Sequence, residues 1–185
     1  MVTALLVIDV IKEFFVTDPL LSKKPPLVEA INELVDEFHK RNMPVIWVRQ
    51  KTKADHSDAS LRDKKRQKWI TVEGTQGIEL LDELHYMQQD CTIFKNRYSA
   101  FFGSNLKSLL EQLGVDRLVV AGINTHACIR TSVIDAYQFD IKTIIPKDAV
   151  TSWDDEHHAI TLRYFEKSMD LPVVDNKAVL TMLDQ

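Results

Sequence analysis

Only two cysteines, Cys91 and Cys128, occur among the 185 residues, and five glycines and six prolines. Two cysteines make neither a disulfide framework nor a zinc pattern, so a reducing cytoplasm is the expected compartment. No apolar stretch reaches the roughly 18 residues that a membrane helix requires. The N-terminus, Met1 to Asp9, has no basic region and no cleavage pattern, and it reads as a strand instead of a leader. Excess positive charge is also missing. The net charge is −4, which gives no basis for nucleic acid or an anionic membrane as a partner. The one basic cluster, Lys64-Lys65-Arg66-Gln67-Lys68, reads as a solvated face. Repeats, low-complexity tracts and interdomain linkers are absent, and residues 1–185 are expected to form a single domain with a sizeable core.

What is present is an alternation of apolar runs and helical patterns. Thr3–Ile8 is a continuous apolar run, suited to a strand buried on both faces. Pro25-Pro26 is expected to open a helix whose stripe is Leu27, Ile31, Leu34, Val35 and Phe38. Pro44–Val48 reads as a second strand. A long polar segment, residues 51–75, follows; loops of that length are functional or mobile more often than not. Cys91–Phe94 reads as the third strand. Ser104 can cap a helix carrying Leu106, Leu109, Leu110 and Leu113, with Gly114 as its stop. Arg117–Gly122, Ile141–Ile145 and Leu171–Val174 supply further strands. Helices are expected at Thr125–Phe139, at Asp154–Met169 with Ser152 or Asp154 as cap, and at the C-terminus. Such alternation implies parallel βαβ units and a three-layer α/β/α sandwich.

In open parallel sheets ligands bind beyond the carboxyl ends of the strands. Asp9 ends the first strand, Lys95 ends the third and Cys128 follows the fourth, so one sheet edge would gather all three. Singly, each has an ordinary explanation: a turn carboxylate, a surfacing lysine, an inert buried thiol. Together they form the parts of a cysteine hydrolase. A thiol attacks as thiolate, and a nearby cation or helix N-terminus lowers its pKa. Lys95 could supply the cation, and Asp9 could take the thiol proton and return it to a leaving group. Cys91, within a strand, reads as inert core.

The segments "LLVIDVIKEFF", "FKNRYSAFFGSNL", "VVAGINTHACIRTSVIDAY" and "TIIPKDAVTSW" resemble the isochorismatase-like cysteine hydrolases, which include nicotinamidase and N-carbamoylsarcosine amidase. They occur in family order across nearly the whole chain. The resemblance implies a six-stranded parallel sheet flanked by helices, a catalytic triad of Asp9, Lys95 and Cys128, and a homo-oligomer. It further implies a cis peptide between Ile123 and Asn124, with the backbone N–H groups of Asn124 and Cys128 forming an oxyanion hole. Hydrolysis of a small amide, carbamoyl or ureido compound through a Cys128 thioester is the implied activity.

Two departures from the family stand out. Gln50 and Thr52 occupy the positions of the Asp-x-His metal pair of nicotinamidases, and the nearby Asp55, His56 and Asp58 do not restore its spacing. No metal and no other cofactor is therefore expected. Ile11 replaces the glutamine of the family's usual Asp-x-Gln start. Phe14 matches a pocket-lining aromatic position of relatives, and Trp69 is a candidate lid over the substrate. Arg49, which could pair with a substrate carboxylate, Tyr98 and Phe101 are candidate wall residues. His126 is expected to face the site mouth or a neighbour without serving as the base, and His157-His158 read as surface or cap residues. Vinyl-ether hydrolysis of isochorismate and a non-catalytic binding protein are the competing readings. Relatives that open a vinyl ether commonly lack the cysteine.

Overall fold

The computed structural model describes residues 1–184. Six strands, β1 (Val2–Ile8), β2 (Val45–Gln50), β3 (Cys91–Lys95), β4 (Val115–Gly122), β5 (Lys142–Pro146) and β6 (Val173–Val174), form one sheet in the order β3-β2-β1-β4-β5-β6. Every pairing is parallel. Helices α1 (Leu20–Lys40), α2 (Leu61–Arg66), α3 (Leu106–Gln112), α4 (Arg130–Gln138), α5 (Asp155–Ser168) and α6 (Asn176–Leu183) complete the chain. Among them no helix is long and apolar enough to cross a membrane.

The sandwich follows from the two faces of β1. Leu5 and Val7 point to one layer, where Leu27, Ile31, Leu34, Val35 and Phe38 of α1 meet Val179 of α6. Ala4, Leu6 and Ile8 point to the other, against Leu106 and Leu110 of α3, Val133 and Ala136 of α4 and Phe165 of α5. Both faces are dry, so the strand reads as an unbroken apolar run.

The helix α1 begins earlier than the proline pair suggested. It starts at Leu20 and carries Pro25 and Pro26 inside. Two intrahelical N–H donors are lost there. The extra turn is held from outside: Asp18 Oδ1 accepts from the Ser22 N–H at 3.0 Å, and Leu20 extends the buried stripe one heptad towards the N-terminus. Lys24 pairs with Glu83 at 2.6 Å, and Lys23 pairs with Asp155. The segment 51–75 also contains more order than expected. Ser60 caps α2 by accepting from the Asp63 N–H at 3.2 Å, while its hydroxyl donates to Asp63 Oδ2 at 2.5 Å.

The order reverses at β1, with β2 on one side and β4 on the other, and that switch point is where a ligand crevice opens. Gly122 closes β4 beside it. Its φ is +110°, and a Cβ there would lie 2.1 Å from the Ile8 carbonyl oxygen and 2.8 Å from the Ile8 nitrogen. Neither atom can yield, because both belong to the central strand. Gly122→Ala is expected to destabilise the fold by about 2 kcal/mol or more, as overpacking and a left-handed backbone add. Urea denaturation of the variant measures this. A midpoint equal to the wild type would contradict the close approach.

Candidate active site

Asp9 is the first residue past β1. Its N–H extends the sheet by donating to Val48 O at 2.8 Å, and its φ of +59° turns the chain away from the strand. An aspartate tolerates that left-handed turn better than most residues. Lys95 ends the edge strand β3, in register with Gln50 of β2. Its side chain crosses above β2 to bring Nζ within 2.6 Å of Asp9 Oδ2. Nζ also donates to the Arg97 carbonyl at 3.0 Å and approaches Cys128 Sγ at 3.5 Å. All three residues are buried, with exposures of 0%, 3% and 5% for Asp9, Lys95 and Cys128. Thus the three strand ends do converge on one buried cluster.

The contact between Lys95 and Asp9 is an ion pair without the alignment of an ordinary hydrogen bond. Oδ1 of Asp9 accepts from no group among the described residues. A buried carboxylate oxygen left this way is costly unless a further donor serves it.

Cys128 lies in a five-residue π-helical turn, Thr125–Ile129, that precedes α4. Asn124 O accepts from the N–H groups of both Ala127 and Ile129, at 2.9 and 3.2 Å. The Ile123–Asn124 peptide is cis, and the Asn124 N–H donates to no group among the described residues. The Ser132 hydroxyl donates to the Cys128 carbonyl at 2.7 Å and accepts from the Ala100 N–H at 2.9 Å, which ties the cysteine turn to the loop after Lys95.

The electrostatics differ from the expected low-pKa thiol. Burial pushes the Cys128 thiol up to about 12, and the Asp9 carboxylate adds to the rise. The Lys95 cation and its hydrogen bond offset only part of this. Desolvation penalises the thiolate more than one ammonium, already paired with Asp9, can compensate. For Lys95 itself burial opposes the charge, but Asp9 and Cys128 outweigh it and hold the ammonium above the ordinary lysine value. At neutral pH Lys95 is therefore an ammonium and Cys128 a neutral thiol.

Above Cys128 lies a pocket of about 400 Å³. Phe14, Tyr98, Asn124, His126, Ala127 and Trp153 line it, with Asn96 and Arg97 from the loop after β3. Ser60, Leu61, Arg62, Asp63 and Ile70 show that segment 51–75 forms one wall. Of the candidate wall residues, Phe14 and Tyr98 line this pocket, whereas Arg49, Trp69 and Phe101 do not, and each of these three is engaged elsewhere. Arg49 donates from Nε to Ile78 O and from a terminal nitrogen to Glu79 Oε2, both at 2.7 Å, which commits its guanidinium elsewhere. Trp69 stacks on His56 with ring centroids 4.5 Å apart, leaving Ile70 to face inward. Phe101 packs against Phe139 at 5.5 Å, on the α3–α4 layer. Trp153 went unforeseen, although its place just after β5 obeys the same strand-end rule. Its N–H donates to Asn124 Oδ1 at 3.1 Å.

Cys91 is half-buried and sits at the opposite end of the sheet, beside a second cavity lined by His39, Met87 and Asp90. The acidic and histidine residues of segment 51–75 are occupied separately. Asp55 accepts from Ser57, Asp58 from Lys53 and Asn96, and His56 stacks on Trp69. Gln50 reaches Thr71 and Thr52 is buried in a short bridge with Val72. Among the described residues no three His, Cys, Asp or Glu side chains converge to hold a metal ion.

Comparison with known proteins agrees with this fold. Residues 3–177 match the family model of the isochorismatase domain. A probable inactive nicotinamidase of Arabidopsis thaliana is 33% identical over 170 residues, covering 86% of each chain. The crystal structure of an isochorismatase family protein from Desulfovibrio vulgaris superposes with a TM-score of 0.90 at 26% identity, over 99% of this chain and 98% of that one. N-carbamoylsarcosine amidase from Thermoplasma acidophilum gives a TM-score of 0.80 at 25% identity, over 95% and 96% of the two chains. With nearly its whole length matched in sequence and in fold, the chain belongs to the isochorismatase-like hydrolase family.

Proposed function

We propose that the protein is a cysteine amidohydrolase acting on a small amide, carbamoyl or ureido compound. The observation that carries this reading is the buried Asp9–Lys95–Cys128 cluster, whose thiol opens onto the pocket and whose Asp9 Oδ1 accepts from no group among the described residues.

In this mechanism Asp9 removes the thiol proton as the sulfur attacks the substrate carbonyl carbon, so no free thiolate accumulates. The backbone N–H groups of Asn124 and Cys128 receive the oxyanion, preorganised donors of the kind worth about 10²–10³ each in rate. Asp9 then passes its proton to the departing nitrogen, the C–N bond breaks, and ammonia or an amine leaves a thioester behind. Asp9 next takes a proton from water, whose oxygen attacks the thioester. The sulfur leaves, regains the proton from Asp9, and the acid is released. Throughout, Lys95 balances the charge of Asp9 and of the developing sulfur anion.

We do not propose nicotinamide as the substrate. Gln50 is engaged with Thr71 and Thr52 is buried, so the positions of the nicotinamidase metal pair carry no ligand. A screen for ammonia release over small amides, carbamoyl and ureido compounds tests the proposal, with Cys128→Ala as control. Expected are turnover of at least one such compound, loss of it in the variant, and no deamidation of nicotinamide. Full activity in Cys128→Ala would sink the mechanism. Pyruvate release from isochorismate that persists without the thiol would favour the vinyl-ether reading.

A further inference from the structure

His126 is two residues before the nucleophile and lines the pocket. Its Nδ1 lies 2.6 Å from the Ser152 hydroxyl oxygen, and its ring stands edge-on to Trp153 at 5.2 Å and 84°. Ser152 is fully buried. Its hydroxyl oxygen accepts from the Asp154 N–H at 3.3 Å, and His126 Nδ1 is the acceptor within reach of its proton among the described residues. A buried hydroxyl must place that proton somewhere, so Ser152 donates and Nδ1 accepts.

The consequence for the ring is definite. With Nδ1 as acceptor, the imidazole is neutral and its proton sits on Nε2. Burial supports the neutral form by lowering the His126 pKa, and His157 and Arg130 add to this against Asp154. Nε2 makes no hydrogen bond among the described residues, so the pocket holds one fixed, unused N–H donor. The Ser152 end is itself anchored, because Lys23 donates to the Ser152 carbonyl at 2.8 Å. Thr125 N–H donates to Thr151 O at 2.9 Å, holding the two loops in register.

Two arginines on the pocket wall add to this. Arg97 donates from one terminal nitrogen to the Asp58 and Asn96 carbonyls, both at 2.8 Å, and has no carboxylate partner among the described residues. Arg62 likewise lines the pocket outside the ion pairs, while Asp63 is occupied by Ser60.

We infer that His126 is a specificity-determining residue: its Nε2–H binds an acceptor oxygen of the substrate other than the carbonyl attacked by Cys128, and Arg62 and Arg97 on the wall of the same pocket favour a substrate that carries a carboxylate. This rests on the hydrolase reading above, since it assumes that the pocket holds the substrate.

The test begins with ¹⁵N spectra of the histidine rings, His126 being assigned by its absence in His126→Asn. A protonated Nε2 and an unprotonated Nδ1 are expected in the wild type, and the preference is expected to weaken in Ser152→Ala. A proton on Nδ1 would overturn the inference. Succinamate and butyramide, which differ by a carboxylate against a methyl group, are the probes for the acceptor. Added to Cys128→Ala, succinamate should shift the His126 Nε2 signal and butyramide should not; no shift with succinamate overturns the inference. Where the wild type turns both over, His126→Phe should lower the ratio of kcat/KM for succinamate over butyramide about tenfold or more, the effect of losing a hydrogen bond to a charged partner. An unchanged ratio would equally overturn it. A succinamate shift without ammonia release from any amide would instead count against the thioester mechanism alone.

Discussion

Replacing Asp9 by Asn is expected to move two properties of Cys128 in opposite directions. Hydrolysis should fall by about 10²–10⁴, the usual contribution of a positioned acid–base group. Alkylation of the same thiol by iodoacetamide at pH 7–8 should accelerate. In the wild type, burial and the Asp9 charge hold the thiol up at about 12 against an ordinary 9.0. The resting thiolate population at neutral pH is then smaller by about 10³ than for an ordinary thiol, each unit being tenfold. Asparagine removes the negative charge and leaves Lys95 free to stabilise the sulfur anion. A fall of a single unit raises the thiolate population about tenfold. Paired initial rates of ammonia release and of alkylation measure both. If alkylation slowed along with hydrolysis, Asp9 would not be what restrains the thiol.

The same displacement bears on stability, with a fixed sign. The folded state keeps the Cys128 proton between pH 9.0 and about 12, where the unfolded chain has lost it. The contribution is therefore complete below pH 9.0 and disappears as the pH rises through the folded value. Lys95, also raised when folded, acts in the same direction in the alkaline range. Slow labelling of Cys128 at neutral pH is thus compatible with a working nucleophile, provided that deprotonation accompanies attack.

Much of this was legible in the residues. The strand ends at Asp9, Lys95 and Cys128 stand out because apolar runs stop there, and a parallel sheet has one carboxyl edge. The alternation of strands and helices and the α1 stripe follow from periodicity, whereas the strand order does not. The sign of the thiol shift was not legible, because it depends on how deeply the π-helical turn is buried, and burial has no local signature. The pocket walls divide for a similar reason. Phe14 and Tyr98 flank Asp9 and Lys95 closely in sequence and travel with them. Arg49 and Trp69 were diverted by partners, Glu79 and His56, that only the folded path of residues 51–79 brings near. Pro25 and Pro26 misled about the start of α1 because the turn before them is held by tertiary contacts.

Lys95→Met should be the most destabilising change in the cluster. The lysine side chain is buried against an equally buried carboxylate at 2.6 Å, and its neutral replacement strands Asp9 in a dry environment. Breaking a buried pair from one side typically costs about 3–5 kcal/mol, because the remaining charge has lost its partner and cannot reach water. The pair as a whole is a different matter, since two desolvation costs nearly cancel its attraction. Asp9→Asn combined with Lys95→Met should therefore be more stable than Lys95→Met alone, although it carries one more substitution. Hydrolysis should be lost in both variants. Urea denaturation of the wild type, the two single variants and the double variant closes the cycle. Additive losses would mean that the two charges are screened from each other. A double variant about as stable as the wild type would show that the pair contributes little to holding the sheet together and is kept for the chemistry at Cys128.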